Sequence, residues 1–431
     1  MKKLKNNIKM LLLPPYFFPE QTASTHLDQD RYSAYKNAGI LTEVYVALPT
    51  RGVAVGCRKK YKKIKNEKMF DNHVSIHRFS MFREGKNPIF RALRYVLVNL
   101  IQYIKGTSAE NIDVIYSGST PPTQGVLCGL VKKKLSKRYR KKIPYIYNLQ
   151  DVFPDSLVNT GMTKKGSFLW KIGRKIENYT YENADKIIVI SEGFKRNIMA
   201  KGVPEEKIEV IPNWIDLDSV HPVSREANKL IDEFDIDPDK FLVIYAGNFG
   251  AAQGADVVLK AAEKLKNNKG IQFIIFGGGA YFEEAKKEAK KLDNVFIHEL
   301  MPVDRISEVY SLGDVALITC KPGTGNAGMP SKTWSIMACN TPIIASFDTD
   351  SDLADVIRDS GAGMCVVPGD VDTLVKAIEK EHQAWSVGNL RIIDLRRYVL
   401  ENASKEKCVK RYIKTIMDVY NASSCLNAKT T

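Results

Sequence analysis

The chain has 431 residues, of which 44% are hydrophobic and 26% are charged, and its formal net charge is +15. These values are typical of a folded globular protein, and the length predicts two or three domains. No stretch approaches the roughly 20 consecutive apolar residues of a transmembrane helix, and seven scattered cysteines without a CxxC pair argue against a disulfide framework or a zinc site.

The positive charge is concentrated in the amino-terminal half. Residues 1–200 contain 36 Lys and Arg against 15 Asp and Glu, which gives +21. Residues 201–431 contain 28 against 34, which gives −6, and the two values sum to +15. A domain this basic is expected to meet a polyanion, either nucleic acid or an anionic membrane surface.

Short apolar runs alternate with helical patterns along the whole chain. In the first half, the runs predict strands at Ile8–Leu13, Thr42–Ala47, Val114–Ser117, Tyr145–Leu149, Ile187–Ile190 and Ile208–Ile211. In the second half, they predict strands at Phe241–Tyr245, Gln272–Phe276, Val295–His298, Val315–Thr319, Pro342–Ala345 and Gly363–Val367. Continuous apolar strands separated by helices predict parallel sheets, so the two series predict two doubly wound α/β domains. The polar segment Pro212–Lys240 would join them, and Ser404–Tyr420 would form a closing helix.

Three segments of the basic half are candidates for membrane contact. Two combine Lys or Arg with apolar helical residues, and one is a Lys-rich stretch. Phe90–Ile104 is a strongly apolar helical stretch, Gln124–Lys142 begins apolar and ends LVKKKLSKRYRKK, and Arg58–Lys68 is a Lys-rich stretch expected to be a loop. An apolar helix beside clustered cations suits an anionic bilayer surface. The alternative is a core helix with solvated basic loops.

Three loops of the second half have features that favour phosphate binding. The stretch YAGNFGAAQG (245–254) and the stretch FGGG (276–279) each follow an apolar strand, and their glycines let backbone amides approach a ligand closely. The third is Pro330-Ser331-Lys332 at the start of a helix, where the helix dipole disfavours a cation unless an anion is bound. Each loop alone could be an ordinary turn. Together they predict a nucleotide diphosphate site at the carboxyl ends of parallel strands.

The order of these motifs resembles the retaining family 4 glycosyltransferases of the GT-B fold, over about residues 8–420. The resemblance is strongest to the bacterial surface-polysaccharide branch that includes fucosamine-type transferases. The matching segments are PYFFPE (15–20), SGSTPPTQG (117–125), YNLQDVFPD (147–155), ENADKIIVIS (182–191), KIEVIPNWID (207–216), YAGNFGAAQG (245–254), FGGG (276–279), LGDVALI (312–318) and MPSKTWSIMACNTPIIAS (329–346).

The resemblance implies two Rossmann-like domains with doubly wound parallel sheets that face a cleft. Residues 1–212 would form the acceptor- and membrane-facing domain, and residues 213–400 the nucleotide-sugar domain. Residues 401–420 would form a helix that crosses back to the first domain, and residues 421–431 a disordered tail.

Carried over position by position, the resemblance also implies the donor site. The donor-binding positions would be Gly247, Asn248, Gln253 and Gly254 at the diphosphate, Gly277 and Gly278 at the nucleotide, Leu300 and Met301 at the base, and Pro330, Ser331, Lys332 and Ser335 at the last helix start. The chain departs from many relatives in two places. Asn248 and Gln253 stand where Arg and Lys are common, and Ala327 and Ser335 stand where a Glu pair spaced E-x7-E is common. Lys332 would therefore carry more of the phosphate contact.

The acceptor side offers three carboxylates. Asp151 directly follows an apolar strand and is the preferred group to take the acceptor proton, with Lys332 stabilising the leaving diphosphate. Asp155 and Glu20 are weaker candidates for acceptor contact, and Thr22 lies in the first loop, where the family usually has glycine. Each Asp could instead be a helix cap. The resemblance implies no metal and no cofactor, with a UDP-sugar as co-substrate.

We therefore expect a glycosyltransferase that moves a sugar, with N-acetyl amino sugars among the candidates, from a UDP-sugar to a lipid-diphosphate-linked saccharide for capsule or O-antigen. It would be cytoplasmic and bound peripherally to the inner face of the bacterial membrane. The alternatives are transfer to a membrane glycerolipid or phosphatidylinositol, a sugar-nucleotide epimerase, and a polyanion-binding protein. No helix-turn-helix, zinc-finger or RNP-like pattern supports nucleic acid as the partner.

Overall fold

The computed structural model describes residues 7–21, 25–85, 87–159, 161–325, 328–389 and 393–430. The chain divides into two compact units. Met1–Pro212 and Cys408–Thr431 form the first unit, and Asn213–Lys407 forms the second. Thr22 and Ala327, both singled out from the sequence, lie outside the described residues.

The first unit is built on a sheet in which the described residues form eight strands, in the order β3-β4-β2-β1-β5-β6-β7-β8. The strands are β1 Ile8–Leu12, β2 Ile40–Ala47, β3 Asn66–Met69, β4 Val74–Phe79, β5 Val114–Gly118, β6 Tyr145–Leu149, β7 Lys186–Val189 and β8 Ile208–Val210. All neighbouring pairs are parallel except β3 with β4, which is antiparallel. The helices of this unit before its final one are α1 Thr25–Asn37, α2 Cys57–Lys63, α3 Pro88–Ser108, α4 Thr123–Tyr139, α5 Asp155–Asn159, α6 Phe168–Asn183 and α7 Glu192–Ala200.

The second unit has its own parallel sheet, to which its described part contributes six strands in the order β11-β10-β9-β12-β13-β14. The strands are β9 Phe241–Asn248, β10 Ile271–Gly278, β11 Val295–Glu299, β12 Val315–Thr319, β13 Ile343–Ser346 and β14 Gly363–Val366. The helices are α8 Leu230–Glu233, α9 Asp256–Lys264, α10 Phe282–Ala289, α11 Ile306–Ser311, α12 Lys332–Ala338, α13 Asp352–Ser360, α14 Val371–Ser386 and α15 Leu395–Asn402, and α16 Lys405–Thr430 follows.

The strand sequences explain why the sheets are central. Every residue of β6 (YIYNL) and of β12 (VALIT) is buried, as expected for parallel strands with helices on both faces. Successive residues of β9, such as Leu242 and Val243, point to opposite faces of the sheet and belong to different buried clusters. The second unit therefore has one buried cluster on each side of its sheet. The prediction of two doubly wound α/β domains is confirmed.

One loop assignment from the sequence is wrong, and one connecting segment is more ordered than expected. Arg58–Lys68, expected to be a loop, contains most of α2 and the start of β3, because β3 can pair antiparallel at the sheet edge without being apolar. Pro212–Lys240, expected to be a polar join, begins where the two units divide, and from Asn213 onward it belongs to the second unit. Its apolar residues Leu217, Val220, Leu230 and Ile236 are all buried in the core there.

The end of the chain also differs from the prediction. The helix expected at Ser404–Tyr420 is present as α16, but residues 401 and 402, expected to start it, end the separate helix α15, because Ala403 and Ser404 leave the helix to pair with Ile215. Ile215 N donates to Ala403 O (3.0 Å), and Lys405 N donates to Ile215 O (3.0 Å). The tail predicted to be disordered from residue 421 is helical to Thr430.

The last helix is tied to the first unit at several points. Tyr412 donates to Asn148 Oδ1 (3.1 Å), and Ser423 Oγ and Asn427 Nδ2 donate to Lys142 O (2.6 and 3.1 Å). None of the helices within the described ranges is both long enough and apolar enough to cross a membrane.

Candidate active site

The carboxyl ends of β9, β10 and β12 bring three loops of the second unit together. Phe249 N donates to Gly278 O (2.7 Å), which joins the loop after β9 to the end of β10. Lys321 N donates to Ala252 O (2.9 Å), which joins the loop after β12 to the same central loop. This edge is where doubly wound sheets bind ligands, and all three loops predicted from the sequence contribute to it or lie beside it.

Lys332 is the one predicted donor-site cation, and its side chain reaches this edge. Its Nζ donates to Ala246 O (3.0 Å) and lies 4.5 Å from the centre of the Tyr245 ring. A Cβ placed on Gly247 would come within 2.7 Å of the same nitrogen. A side chain at Gly247 would therefore displace the ammonium from this position.

The electrostatics of Lys332 are those of a cation without a counter-charge. Burial of its side chain lowers the pKa of Lys332 to about 8. Within the described part of the chain, no carboxylate forms an ion pair with it. A desolvated ammonium held by one carbonyl and one ring face is poorly compensated, and an anionic ligand would complete its environment.

Pro330 and Ser331 lead into α12 directly beside this lysine. Ser331 is exposed, and no side-chain capping bond from it is found in the described structure. The first backbone N–H groups of a helix have no intrahelical acceptors. Ser331 therefore lies next to Lys332 at the start of α12, although one N–H group of this turn, that of Thr333, already donates to Pro330 O (3.1 Å).

Asn248 and Gln253 lie on the central loop, and two glycines make room for them. A Cβ on Gly250 would lie 2.5 Å from Gln253 Oε1 and 2.8 Å from Asn248 Nδ2, and a Cβ on Gly279 would overlap Asn248 Oδ1. Gly279 also has a positive φ of 110°. The sequence predicted that glycines of these two loops let backbone amides approach a phosphate, whereas the geometry gives Gly250 and Gly279 another role, that of leaving room for the Asn248 side-chain amide.

The other glycines predicted to line the donor site, Gly254, Gly277 and Gly278, lie close to protein backbone or apolar side chains. A Cβ on Gly254 would lie 2.6 Å from Cys320 O, so this glycine allows two loop backbones to approach. A Cβ on Gly277 would lie 2.5 Å from Phe282 and 2.7 Å from Phe249, so its open face is filled by aromatic rings. A Cβ on Gly278 would lie 3.3 Å from Leu300 Cδ1.

Leu300 and Met301, predicted to lie beside the base, differ in exposure. Leu300 is 52% exposed, whereas Met301 is partly buried and packs against the core. A partly exposed apolar side chain next to Gly278 provides a surface against which a planar base can stack.

Ser335 is only 4% exposed and lines the core side of α12. A small buried residue at this position cannot replace the reach of a glutamate. Asp348, which was not among the residues predicted from the sequence, has a structural role beside this site. Its carboxylate accepts from Gly323 N (2.9 Å) and Gly325 N (2.7 Å) and so shapes the loop after β12. In the sequence, the visible sign of this contact is Gly323-Thr324-Gly325, whose two glycine N–H groups donate to the one carboxylate.

In the first unit, Asp151 follows β6 and is exposed. Its Oδ2 accepts from Ser156 Oγ (3.2 Å). Partial desolvation raises the pKa of Asp151, and the Ser156 bond opposes this shift only in part. No cation among the described residues forms an ion pair with this carboxylate, so it has the properties expected of a proton acceptor.

Asp155, four residues later, is engaged in the structure. It accepts from Asn197 Nδ2 (3.1 Å) and forms an ion pair with Lys201 (2.8 Å). Although burial acts to raise it, the pKa of Asp155 is held below its usual value by Lys201 and Asn197. These contacts make Asp155 a structural anchor of α5 and α7.

Glu20 is 3% exposed and organises two loops. Its carboxylate accepts from the backbone N–H groups of Thr50 (2.7 Å) and Arg51 (2.9 Å), which follow β2. Burial raises the pKa of Glu20, while these backbone bonds and the charge of Arg94 act in the opposite direction. Glu20 therefore fixes the loop after β1, and acceptor contact by this carboxylate would require it to be exposed first.

A search of the described residues finds no group of three or more His, Cys, Asp or Glu side chains arranged to hold a metal ion.

Two family models match the chain in succession. A model described as "Glycosyltransferase Family 4" matches residues 42–219, and a model described as "Glycosyl transferases group 1" matches residues 226–387. The first match contains Asp151 and Asp155, and the second contains every predicted donor residue from Gly247 to Ser335.

Curated relatives cover most of the chain at moderate identity. The chain is 28% identical to the probable glycosyltransferase WbjE of Pseudomonas aeruginosa over 344 residues, which are 77% of this chain and 83% of that protein. It is 25% identical to the putative colanic acid biosynthesis glycosyl transferase WcaI of Escherichia coli over 276 residues, 63% of this chain and 67% of that protein. It is also 25% identical to an α-galactosylglucosyldiacylglycerol synthase of Streptococcus pneumoniae over 301 residues, 68% of this chain and 74% of that protein.

Among solved structures, Anabaena HepE in complex with UDP matches with a TM-score of 0.67 at 14% identity, covering 96% of this chain and 100% of that chain. At this identity the likeness concerns the fold. It confirms the predicted GT-B fold, with its two parallel-sheet α/β domains.

Proposed function

We propose that this chain, a glycosyltransferase with a family 4-type domain followed by a group 1 domain, moves a sugar from a UDP-sugar to a lipid-diphosphate-linked saccharide in bacterial capsule or O-antigen synthesis. The observation that carries the donor side of this proposal is the unpaired, partly buried ammonium of Lys332 beside Gly247. A site of this kind is incomplete without an anion, and the diphosphate of a nucleotide-sugar supplies one.

The chemistry follows from where charge develops. When the bond from the anomeric carbon to the diphosphate breaks, negative charge grows on the leaving oxygen. The Lys332 ammonium and the N–H groups at the start of α12 stabilise that charge more in the transition state than in the ground state. Asp151 accepts the proton of the attacking hydroxyl, and in this proposal retention of anomeric configuration follows the family. The residues that act require neither a metal nor a cofactor.

The nucleotide is proposed to be UDP, with the base against Leu300 and Met301. The fold match to a protein solved with UDP supports this choice. The sugar is proposed to be an N-acetyl amino sugar, as in the fucosamine-type branch that the sequence resembles. Asn248, whose amide is held over Gly279, can hydrogen-bond to polar groups of the diphosphate or the sugar.

The acceptor is proposed to lie at a membrane. Support comes from the charge of +21 in residues 1–200 and from the relative named for colanic acid biosynthesis. We place the protein in the cytoplasm, peripherally bound to the inner face of the cell membrane. The second candidate is transfer to a membrane glycerolipid, which the similarity to a diacylglycerol glycoside synthase favours.

Calorimetry and turnover test the proposal. Purified protein should bind UDP more tightly than ADP or GDP, and UDP should be released when a UDP-sugar and an extracted lipid-linked acceptor are both present. Mass analysis of the lipid product separates the two acceptors, since a saccharide on a lipid diphosphate and a glycosyl glycerolipid differ in their phosphorus. Absence of any UDP affinity would contradict the proposal.

A further inference from the structure

A stripe of apolar side chains runs along the exposed side of α3. Its members recur every three or four residues, which is the spacing of one helix face. They are Phe90 (59% exposed), Leu93 (49%), Val96 (60%), Leu100 (56%) and Ile104 (58%). Scattered apolar residues are normal on a surface, but a row of this length on one helix is not.

The orientation of α3 is fixed by its opposite side, so the stripe is not a core face that is merely turned outward. Arg94, Val98 and Gln102 are fully buried there. Gln102 Nε2 donates to Pro14 O (2.7 Å) and Tyr45 O (2.9 Å), which ties the helix to the ends of β1 and β2. Rotating α3 to bury the stripe would break these bonds.

A second exposed apolar group lies at the start of α6 and just before it. Its members are Met162 (74% exposed), Phe168 (81%), Leu169 (50%) and Ile172 (40%). Exposed lysines surround them in the sequence at positions 164, 165, 171 and 175. The opposite side of α6, with Gly173, Glu177 and Thr180, is buried.

Helix α4 lies between α3 and α6 and joins the two groups into one surface. Asn99 Nδ2 donates to Thr123 Oγ1 (2.8 Å), which links α3 to α4. Lys133 Nζ lies 4.7 Å from the centre of the Tyr179 ring, which links α4 to α6. The exposed side of α4 carries Leu130 followed by exposed lysines at 133, 134 and 137.

The charge of this surface has one sign. Residues 114–150 contain eight Lys and Arg and no Asp or Glu, and residues 156–176 contain five and none. Apolar side chains flanked by lysines suit the boundary between the headgroups and the acyl chains of an anionic bilayer, whereas a nucleic acid would gain nothing from the apolar rows.

We infer that the exposed side of α3, α4 and α6 docks on an anionic lipid bilayer. The α3 stripe and the apolar start of α6 enter the headgroup region, and the α4 lysines lie over the lipid phosphates. This inference deepens, and rests on, the membrane acceptor proposed above. It adds α6, which the sequence did not indicate, as the second inserted element.

Vesicle co-sedimentation tests the surface on the full chain. Wild-type protein should bind vesicles of phosphatidylcholine with phosphatidylglycerol and bind vesicles of phosphatidylcholine alone weakly. The triple variant Phe168→Ser, Leu169→Ser, Ile172→Ser and the triple variant Leu93→Ser, Val96→Ser, Leu100→Ser should each lose most of this binding. The pair Lys134→Ala, Lys137→Ala should weaken binding to the anionic vesicles by about tenfold or more and leave the weak neutral binding unchanged.

A matched control removes exposed apolar residues from the other unit. Val367→Ser with Val387→Ser changes side chains that are 58% and 70% exposed, and vesicle binding should stay the same. UDP affinity should be unchanged in every variant, so failure of the docking surface is distinguishable from failure of the donor site. Equal vesicle binding by the control and the apolar variants would overturn the inference. So would a wild-type dimer that becomes monomeric in these variants, since the surface would then bind a second copy.

A measurement on the unaltered protein keeps the test independent of variant folding. Trp170 lies between Leu169 and Lys171 and is partly exposed, whereas Trp214 and Trp334 are buried. Brominated lipids in anionic vesicles should quench wild-type tryptophan fluorescence, and Trp170→Phe should remove most of the quenching. Vesicle binding without quenching of Trp170 would show that α6 does not enter the bilayer.

Discussion

Lys332 combines a partly buried ammonium, a backbone acceptor and an aromatic face, and its position depends on the absence of a side chain at Gly247. A desolvated ammonium of this kind lowers the stability of the protein, and an anion bound beside it would offset this cost. The position of the Asn248 side-chain amide likewise depends on two glycines, because a Cβ on Gly250 or on Gly279 would overlap it.

Replacement of this lysine by a residue of similar shape should separate function from stability. We expect Lys332→Met to lower kcat/KM by about 10²–10³, because one group that stabilises the leaving diphosphate is lost. The nucleotide-free variant should melt at a higher temperature than the wild type, because a desolvated charge has been removed. Steady-state kinetics and thermal denaturation measure the two effects, and Lys376→Met on the exposed side of α14 is the control that should change neither.

The pKa of about 8 gives this site a pH dependence with a definite sign. In the empty protein the ammonium is lost as the pH rises through about 8, so UDP affinity measured by calorimetry should fall above that pH. The unfolded chain keeps its proton up to about pH 10.4, so the free energy of unfolding should rise between these values. A bound diphosphate raises the pKa of Lys332, so saturating UDP should move the kinetic profile to higher pH. A UDP affinity that is flat from pH 7 to pH 9.5 would contradict this assignment.

The Asn248 amide can be tested through its neighbour. Gly279→Ala introduces a Cβ that overlaps Asn248 Oδ1, so we expect a fall in kcat/KM of at least tenfold with a displaced amide. Gly388→Ala is the matched control, because Gly388 also has a positive φ (67°) while its Cβ would meet no described atom within 4 Å. Both variants carry the strain of about 1–2 kcal/mol of a left-handed residue, so a difference in turnover between them reports on Asn248.

Asp151 and Asp155 provide a matched pair of carboxylates with opposite pKa shifts. Asp151→Asn should lower kcat by about 10²–10⁴ if it takes the acceptor proton. Because the pKa of Asp151 is raised, the active carboxylate form is lost as the pH falls toward that raised value, and the acid limb of the rate profile should vanish in the variant. Asp155→Asn should keep the profile and lower the melting temperature, since Lys201 loses a partner.

At the scale of elements, the sequence predicted those strands that have continuous apolar runs and missed those that do not. β9 and β12 are confirmed because every residue of VALIT and nearly every residue of FLVIYAGN is buried. β3 (NEKM) is a polar edge strand that is held by its backbone hydrogen bonds to β4. A search for apolar periodicity in the sequence therefore could not reveal it. The donor loops were predicted from glycines after strands, whereas Gly279 and Asp348 act through contacts that cross between loops.

The last helix was predicted too short because its final turns are polar. They are nevertheless anchored, since Ser423 is 2% exposed and donates to Lys142 O (2.6 Å). Deleting residues 421–431 should therefore lower the free energy of unfolding by about 2–4 kcal/mol, the range expected for the three hydrogen bonds that Ser423 and Asn427 make to the backbone of Lys142. Thermal denaturation of the truncated chain beside the double variant Ser423→Ala, Asn427→Ala checks this, and both should be destabilised to a similar extent.

At the scale of the whole molecule, the distribution of charge and the order of the motifs in the sequence distinguish the two units. The basic residues concentrate in the first unit, and the glycine-rich strand ends concentrate in the second. Composition could not specify which helices carry the exposed apolar rows, because α3 and α6 each bury one side and expose the other. Which side of each helix is buried depends on which side packs against the rest of the unit, and composition does not contain that information.

The placement of Cys408–Thr431 with Met1–Pro212 has a consequence for how the polypeptide is made. The second unit is continuous in sequence, so all of its residues are synthesised before Cys408–Thr431. The first unit begins earlier but completes its contacts with α16 only after Cys408–Thr431 has been made and has left the ribosome. An intermediate with a finished second unit and an open first unit is therefore built into the order of synthesis, and a released chain that ends at Lys407 would display it to a protease.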